Sequence, residues 1–359
     1  MKTKRILTNQ AKSGMVVAED IYTYNNQLII SKDTMLTNRA ITRLNFYSIT
    51  DLKIYEEPKK KEDVKPTISF TEEIKQTKEF KLFSQTHEQM VADLKEELNS
   101  FVSNKKPRID IDKLSIKMNQ LLAASRNGVH VFHMLQCMRD FNDITYNHSV
   151  NVSIICHTIG CWMNLSEKDL QILTLSGLLH DIGKLLVPQD IIEKPSALTS
   201  LEYRIIKTHS QKGYELLKEQ PIDMRISMSA LMHHERCDGT GYPNHIKGNE
   251  MLPFAKIVAI ADTYDAMTSS RIYRGAMCPF EVINMYETEG LQKFDPEILL
   301  VFLQNMAATY IHNNVLLSNG QKGKIVLLNN PVLSKPIVQV GENFVDLSRH
   351  SDLTITKII

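Results

Sequence analysis

Between Leu175 and Pro188 the chain reads LSGLLHDIGKLLVP, an apolar run at helical spacing that carries His180 and Asp181 side by side and Lys184 one turn later. Burying an unpaired carboxylate in such surroundings is costly, so a fold that accepts this stretch must give Asp181 a cationic partner or a metal ion. The same conflict recurs further along. His148 lies in DITYNHSVNVSIICHTIG, His209 in EYRIIKTHSQKGYELL, His233 and His234 close ISMSALMHHER, and Asp262 sits in FAKIVAIADTYDAM.

Adjacent helical residues point about 100° apart, so a His-Asp or His-His doublet aims poorly at one ion but straddles two. Asp181 is then the natural bridge, with His148, His180 and Asp262 on one metal and His209, His233 and His234 on the other. For any one position the plainer reading is a core histidine bonded to a backbone carbonyl. The recurrence on successive helical segments argues for a shared centre. Imidazole and carboxylate ligation suits Fe, Mn, Zn, Co or Ni alike, and no cysteine pairs with these histidines, so the metal stays open. Two ions ~3.5–4 Å apart generate hydroxide at neutral pH and hold a phosphoryl oxygen, which points to hydrolysis of a phosphate ester.

Around this set, Lys184 is placed to meet a phosphate oxygen as a point charge, against the alternative of a solvated helix-end lysine. Asp265 shares a helix face with Asp262, and Arg271 and Arg274 leave the helix end near Ser269, which together favour anion binding. Directly after the His-His doublet, RCDGTGYPNH forms a tight loop able either to close over the site with Tyr242 against a base or ribose, or simply to turn the chain. His87, His245, His312 and His350 read as surface or loop residues, and His130, His133 and His157 as core or edge residues.

The rest of the chain sets the frame. Residues 1–56 alternate with period near two around a helical stretch at Leu36–Ile49, a small α+β module. The charged, proline-bearing segment 57–68 is a linker, 69–127 a helical connecting region, 128–314 the catalytic domain and 315–359 a small β-rich appendix with Asn-Gly and Lys-Gly turns. The fold class expected is mainly α. The formal charge of +1 in 359 residues gives no global field for a nucleic acid polymer or a membrane. The start of the chain lacks a signal-peptide pattern, no window approaches the roughly 18 apolar residues of a membrane span, and the five cysteines form no CxxC pair. These features suggest a cytoplasmic protein with reduced thiols. A long helix from about Glu72 to Phe101 is a candidate for signalling or for a homodimer contact, or packs on the chain's own core.

The motifs YNHSVNV, GLLHDIGK, IIKTHSQKGYELL, HHERCDGTGYP and AKIVAIADTYDAMTSSRIYR resemble those of the HD-GYP family, the branch of the HD phosphohydrolases associated with degradation of cyclic di-GMP. The likeness covers about Asn142 to Met306. It implies an HD-type helical bundle core, a site of two or three metals often containing iron or manganese, and attack of a metal-bridging hydroxide on cyclic di-GMP to give linear pGpG, with GMP from a second cut. By motif, the metal positions are His148, His180, Asp181, His209, His233, His234 and Asp262. His180, Asp181 and Lys184 match catalytic positions. Lys184, Asp265, Arg271 and Arg274 match substrate contacts, and Gly241, Tyr242 and Pro243 the loop behind half of the family's name. Where members with a third metal use a glutamate, this chain has Ile144, with Asp143 one residue off, so two metals are expected. Cys237 replaces a common tryptophan without removing a ligand. Two other accounts stay open: a cyclic di-GMP-binding signalling module with little or no turnover, and a hydrolase for another cyclic dinucleotide such as 3′,3′-cyclic GMP-AMP.

Overall fold

The computed structural model describes residues 3–8, 11–22, 28–37, 40–41, 44, 49, 51–55, 70–124, 134–135, 137–138, 144–194, 196–269 and 275–359. The chain forms two compact units, Met1–Ile68 and Ser69–Ile359. In the first, β1 (Thr3–Leu7) pairs antiparallel with β4 (Asp51–Tyr55), and β2 (Ile21–Tyr22) with β3 (Leu28–Ile30). Alternation along β4 buries Leu52 and Ile54 against Val17, Ile21, Ile29, Ile30, Leu36 and Leu44. Most of the helical stretch expected at Leu36–Ile49 lies outside the described residues.

The second unit begins with α1 (Phe70–Gln76) and α2 (Lys78–Val102). The single long helix expected there is broken at Thr77, whose hydroxyl accepts from the Phe80 amide and starts α2 afresh. Phe80, Phe83, His87, Met90, Leu94 and Leu98, spaced three or four apart, form the buried stripe of α2. It packs on α3 (Ile111–Ala123) and α4 (Ile144–Trp162), so its apolar face is taken up by the chain's own core.

Helices α4 and α5 (Glu167–Leu179) pair closely because Gly177 faces the Ser153 backbone, where an added Cβ would lie 2.9 Å from the Ser153 Cα. After α5 the chain makes a tight helical turn at Ile182–Leu186, on which α7 (His209–Lys218) sits, following α6 (Ser200–Lys207). Helix α8 (Met224–Met232) packs on α5 and α7, and α9 (Pro253–Thr268) on α4, α5 and α8. Helices α10 (Pro279–Met285) and α11 (Pro296–Ala308) complete the bundle. Among the described residues no helix is long and apolar enough to cross a membrane.

Beyond α11 a five-stranded antiparallel sheet runs in the order β8-β7-β6-β5-β9, with β5 Asn314–Leu317, β6 Lys322–Leu327, β7 Ile337–Val340, β8 Asn343–Asp346 and β9 Ile355–Ile358. Asn319-Gly320 makes the β5–β6 turn, with Gly320 at φ +81°. Lys322-Gly323, expected as a turn, instead lies inside β6, where the missing side chain admits Val338 of β7. One hydrophobic cluster runs from Ile74 to Ile355, so connecting helices, bundle and sheet share a single core.

Glu287, in the turn after α10, ties the sheet to the helices: its two carboxylate oxygens accept from the backbone amides of Leu333 (2.6 Å) and Ser334 (3.3 Å). Replacing Glu287 by alanine leaves these donors without that acceptor and is expected to destabilise the unit by about 1–3 kcal/mol. Urea denaturation checks this, and faster amide exchange at Leu333 and Ser334 should accompany the loss.

Candidate metal centre

Five segments deliver the seven residues singled out above. His148 is on α4; His180 caps the C-terminus of α5 and Asp181 starts the following turn; His209 opens α7; His233 caps α8 with His234 next; Asp262 is on α9. The approach of α7 depends on Gly183, since any Cβ there would collide with the His209 carbonyl and the Gly213 amide.

The side chains converge as two groups, Asp181, His209, His233 and His234 in one and His148, His180 and Asp262 in the other, each with its ligand atoms within 4.8 Å of one another. Asp181, 2% exposed, joins them. Its Oδ1 lies 3.3 Å from His209 Nε2 and 3.7 Å from His233 Nε2, and its Oδ2 lies 3.3 Å from His180 Nε2 and 3.6 Å from His148 Nε2. Asp262 Oδ1 is 3.0 Å from His148 Nε2, and its Oδ2 is 3.8 Å from His234 Nδ1.

The hydrogen bonds on the far side of each ring fix where its lone pair points. The Nδ1 of His180 donates to the Gly177 carbonyl (2.7 Å), that of His209 to Ile206 (2.7 Å) and that of His233 to Ala230 (2.9 Å). Each neutral ring then presents a bare Nε2 inward. As a result the Nε2 atoms of His209 and His233 face one another at 3.2 Å, and His180 Nε2 faces a carboxylate oxygen. The buried His180 Nε2 and Asp181 Oδ1 have no hydrogen-bond partner. Lone pairs aimed at lone pairs in a buried site repel, and a cation between them turns the repulsion into ligation. The donor set therefore fits divalent metal ions.

Electrostatics divide the rings. Burial pushes the His209 pKa down to about 4 against the pull of Asp181, and burial together with neighbouring imidazoles drives His233 and His234 well below the usual histidine range. At His148 burial also opposes charge, but hydrogen bonds to Asp262 and Asp265 win and hold the pKa at about 9. Burial alone would raise Asp181 and Asp262. The Lys184 ammonium and the facing His180 imidazole hold the first well below the ordinary carboxylate range, and the hydrogen bond from His148 with the neighbouring His234 ring does the same for the second.

The outer residues are placed less as expected. Lys184 Nζ lies 2.5 Å from Asp181 Oδ2 with 23% of its side chain exposed, at the rim of the centre. Asp265, expected among the substrate contacts, is buried with both oxygens engaged: Oδ2 accepts from His148 Nδ1 at 2.7 Å, and Oδ1 from Asn151 Nδ2 and the Ser269 hydroxyl, each at 3.1 Å. Its place one turn beyond Asp262 aims it at the back of a ring, not at solvent. Arg271 and Arg274 lie outside the described residues, as do Asp143, His130 and His133.

The loop after the doublet folds onto the backbone it follows. A Cβ at Gly241 would strike Glu235 and Arg236, the Tyr242 amide donates to the His234 carbonyl (3.1 Å), and the Tyr242 ring stacks on the His234 ring at 4.6 Å. Glu235, missed in the sequence, is fully buried and accepts from the Asn244 amide at 2.7 Å, fastening the residue after Pro243. His87, read as a surface residue, is 3% exposed on the inner stripe of α2. Its spacing of four from Phe83 and three from Met90 carried that information. His245, His312 and His350 are exposed, and His157 is half-buried against Thr174.

The HD domain family model matches residues 117–298, half of the chain, and the chain belongs to that family. It is 30% identical over 234 residues to a cyclic di-GMP phosphodiesterase of Pseudomonas aeruginosa, covering 65% of this chain and 56% of the relative. It is 34% identical over 170 residues to a 3′3′-cGAMP-specific phosphodiesterase of Vibrio cholerae, covering 47% and 39%. Among solved structures it is similar to an HDG"Y"P protein of Bdellovibrio bacteriovorus, with 14% identity, a TM-score of 0.46 and coverage of 84% of this chain and 98% of the other. The chain spans about half the length of the curated relatives it matches.

The opposed shifts at His148 and His209 give the stability of the metal-free protein opposite pH dependences on the two sides of neutrality. His148 is raised from 6.5 to about 9, so its contribution is complete below pH 6.5 and is lost as pH climbs through 9. His209 is lowered from 6.5 to about 4, so its contribution is complete above 6.5 and is lost as pH falls through 4. Urea midpoints of chelator-treated protein should peak near pH 6.5, and a His148→Gln variant should lose the alkaline decline while keeping the acid one.

Proposed function

We propose that this chain is a metal-dependent phosphodiesterase that hydrolyses a cyclic dinucleotide, cyclic di-GMP first, to linear pGpG and on to GMP. The observation that carries the reading is Asp181: a buried carboxylate with one oxygen in each of two ligand groups is the arrangement a pair of bridged metal ions requires. His148, His180 and Asp262 would hold one ion and His209, His233 and His234 the other. Iron or manganese is favoured by resemblance to the HD-GYP family. Divalent ions in such a pair lower the pKa of water and neutralise phosphoryl oxygens.

The chain's own residues supply the rest. His180, His209 and His233 are locked by backbone carbonyls in the tautomer that offers Nε2. Lys184, partly exposed beside Asp181, is a cation at the rim of the centre from which a phosphate oxygen can be met. Arg271 and Arg274, by motif, add further phosphate or guanine contacts, while Tyr242 acts through His234 by stacking on it. A second reading, 3′,3′-cyclic GMP-AMP as substrate, is supported by the relative of that specificity in Vibrio cholerae.

The test is turnover of each dinucleotide by protein purified without oxygen, with metal content measured alongside. Asp181→Ala is expected to lose metal and all detectable activity. Lys184→Ala should keep its metal and lose about 10²–10³-fold in kcat/KM, the typical effect of removing one charge-stabilising donor. Loss of metal in Lys184→Ala would show instead that the ammonium serves Asp181. Tight binding of cyclic di-GMP by metal-loaded protein without turnover would replace the enzyme by a sensor of the same ligand.

A further inference from the structure

Behind the centre runs a thread of polar groups, buried except for the half-buried Asn151, that extends past the ligands. The His148 Nδ1 bonds Asp265 Oδ2 (2.7 Å), Asp265 Oδ1 accepts from Asn151 Nδ2 (3.1 Å), and Asn151 Oδ1 lies 2.9 Å from His87 Nε2. The polarity of every link follows from its chemistry. An ionised carboxylate only accepts, so Asn151 must turn its amide nitrogen to Asp265 and its carbonyl to His87. A carbonyl only accepts, so His87 must carry its proton on Nε2. The other nitrogen, Nδ1, is buried with no hydrogen-bond partner, as suits the unprotonated position of a neutral ring. At the other end the same logic puts a proton on His148 Nδ1 and turns its Nε2 toward Asp262 and Asp181.

We infer that His87 is a positioning residue of the metal centre, holding Asn151 and through it Asp265 in the one arrangement that presents His148 Nε2 as a ligand. The inference rests on the metal-ligand reading of His148. His87 belongs to α2, outside the residues 117–298 matched by the family model, so an element beyond that domain supplies the last donor of the chain. Without it, the half-buried Asn151 amide loses the donor that fixes its orientation and is free to rotate, withdrawing its hydrogen from Asp265. A shift of α2 along its axis would have the same effect, which makes metal retention depend on where α2 lies.

The test compares the full chain with His87→Leu and His87→Gln. Leucine keeps the bulk and removes the donor; glutamine places an amide nitrogen near the position of Nε2. Metal-free proteins are titrated with Zn²⁺ by calorimetry. His87→Leu is expected to bind the His148 ion measurably more weakly, by less than the roughly 10–100-fold that loss of the ring's direct partner Asp265 would cost, with His87→Gln recovering most of the loss. Unchanged affinity in His87→Leu, or equal loss in both variants, overturns the inference. Failure of the wild-type chain to bind Zn²⁺ overturns the metal-centre reading beneath it. Should His87→Leu fail to fold, the ring tautomer decides: ¹⁵N spectra of Zn²⁺-loaded wild type should show His87 protonated on Nε2, and protonation on Nδ1 would sink the proposal.

Discussion

The central helices of the second unit converge on one buried carboxylate, that of Asp181. Asp181 is almost inaccessible, and it stays ionised because imidazoles and an ammonium surround it on both sides. Such a carboxylate is unfavourable in a helical core unless cations compensate it. The fold meets that need by ending three helices at the same place. Helices α5 and α8 stop at His180 and His233, and α7 starts at His209, so helix-end positions bring these rings together. Only His148 and Asp262 come from helix interiors, and they face each other across the α4–α9 contact.

The second layer of the site is equally economical. Backbone carbonyls one turn back receive the Nδ1 protons of three rings, so those tautomers cost no extra side chain. His148 is the exception. Sitting mid-helix, it has no vacant carbonyl one turn back, and a carboxylate takes over from α9, with Asn151 and His87 behind it. The most elaborate support thus falls on the ring whose helix offers least help.

The seven residues that converge were legible in the sequence because the conflict between charge and apolar surroundings is local. Asp181 and Asp262 betray themselves within a dozen residues. The partition of roles among polar neighbours is a matter of direction, which sequence spacing does not give. Asp265 shares a face with Asp262, yet one turn of rise moves it from the front of His148 to the back. His87 sits among Gln85, Thr86, Glu88 and Gln89, and that polar company hid an inward-facing ring. The Tyr242 loop likewise read as a turn with two uses, and its stacking on His234 depends on tertiary contact. At coarse grain the helical bundle and the small β-rich end were plain from the change of period; Gly323 misled because a glycine needed for strand approach looks like a turn glycine.

The single hydrophobic cluster from Ile74 to Ile355 has a consequence for how the polypeptide can be divided. Sequence kinship marks a boundary near residue 117, whereas cooperative packing draws it near residue 69. A fragment excised at the kinship boundary would lose α2 and shed the aromatic and aliphatic residues that close one side of α4, leaving an oily flank open to water. The stretch matched by the family model and the body that packs as one are different lengths of this polypeptide.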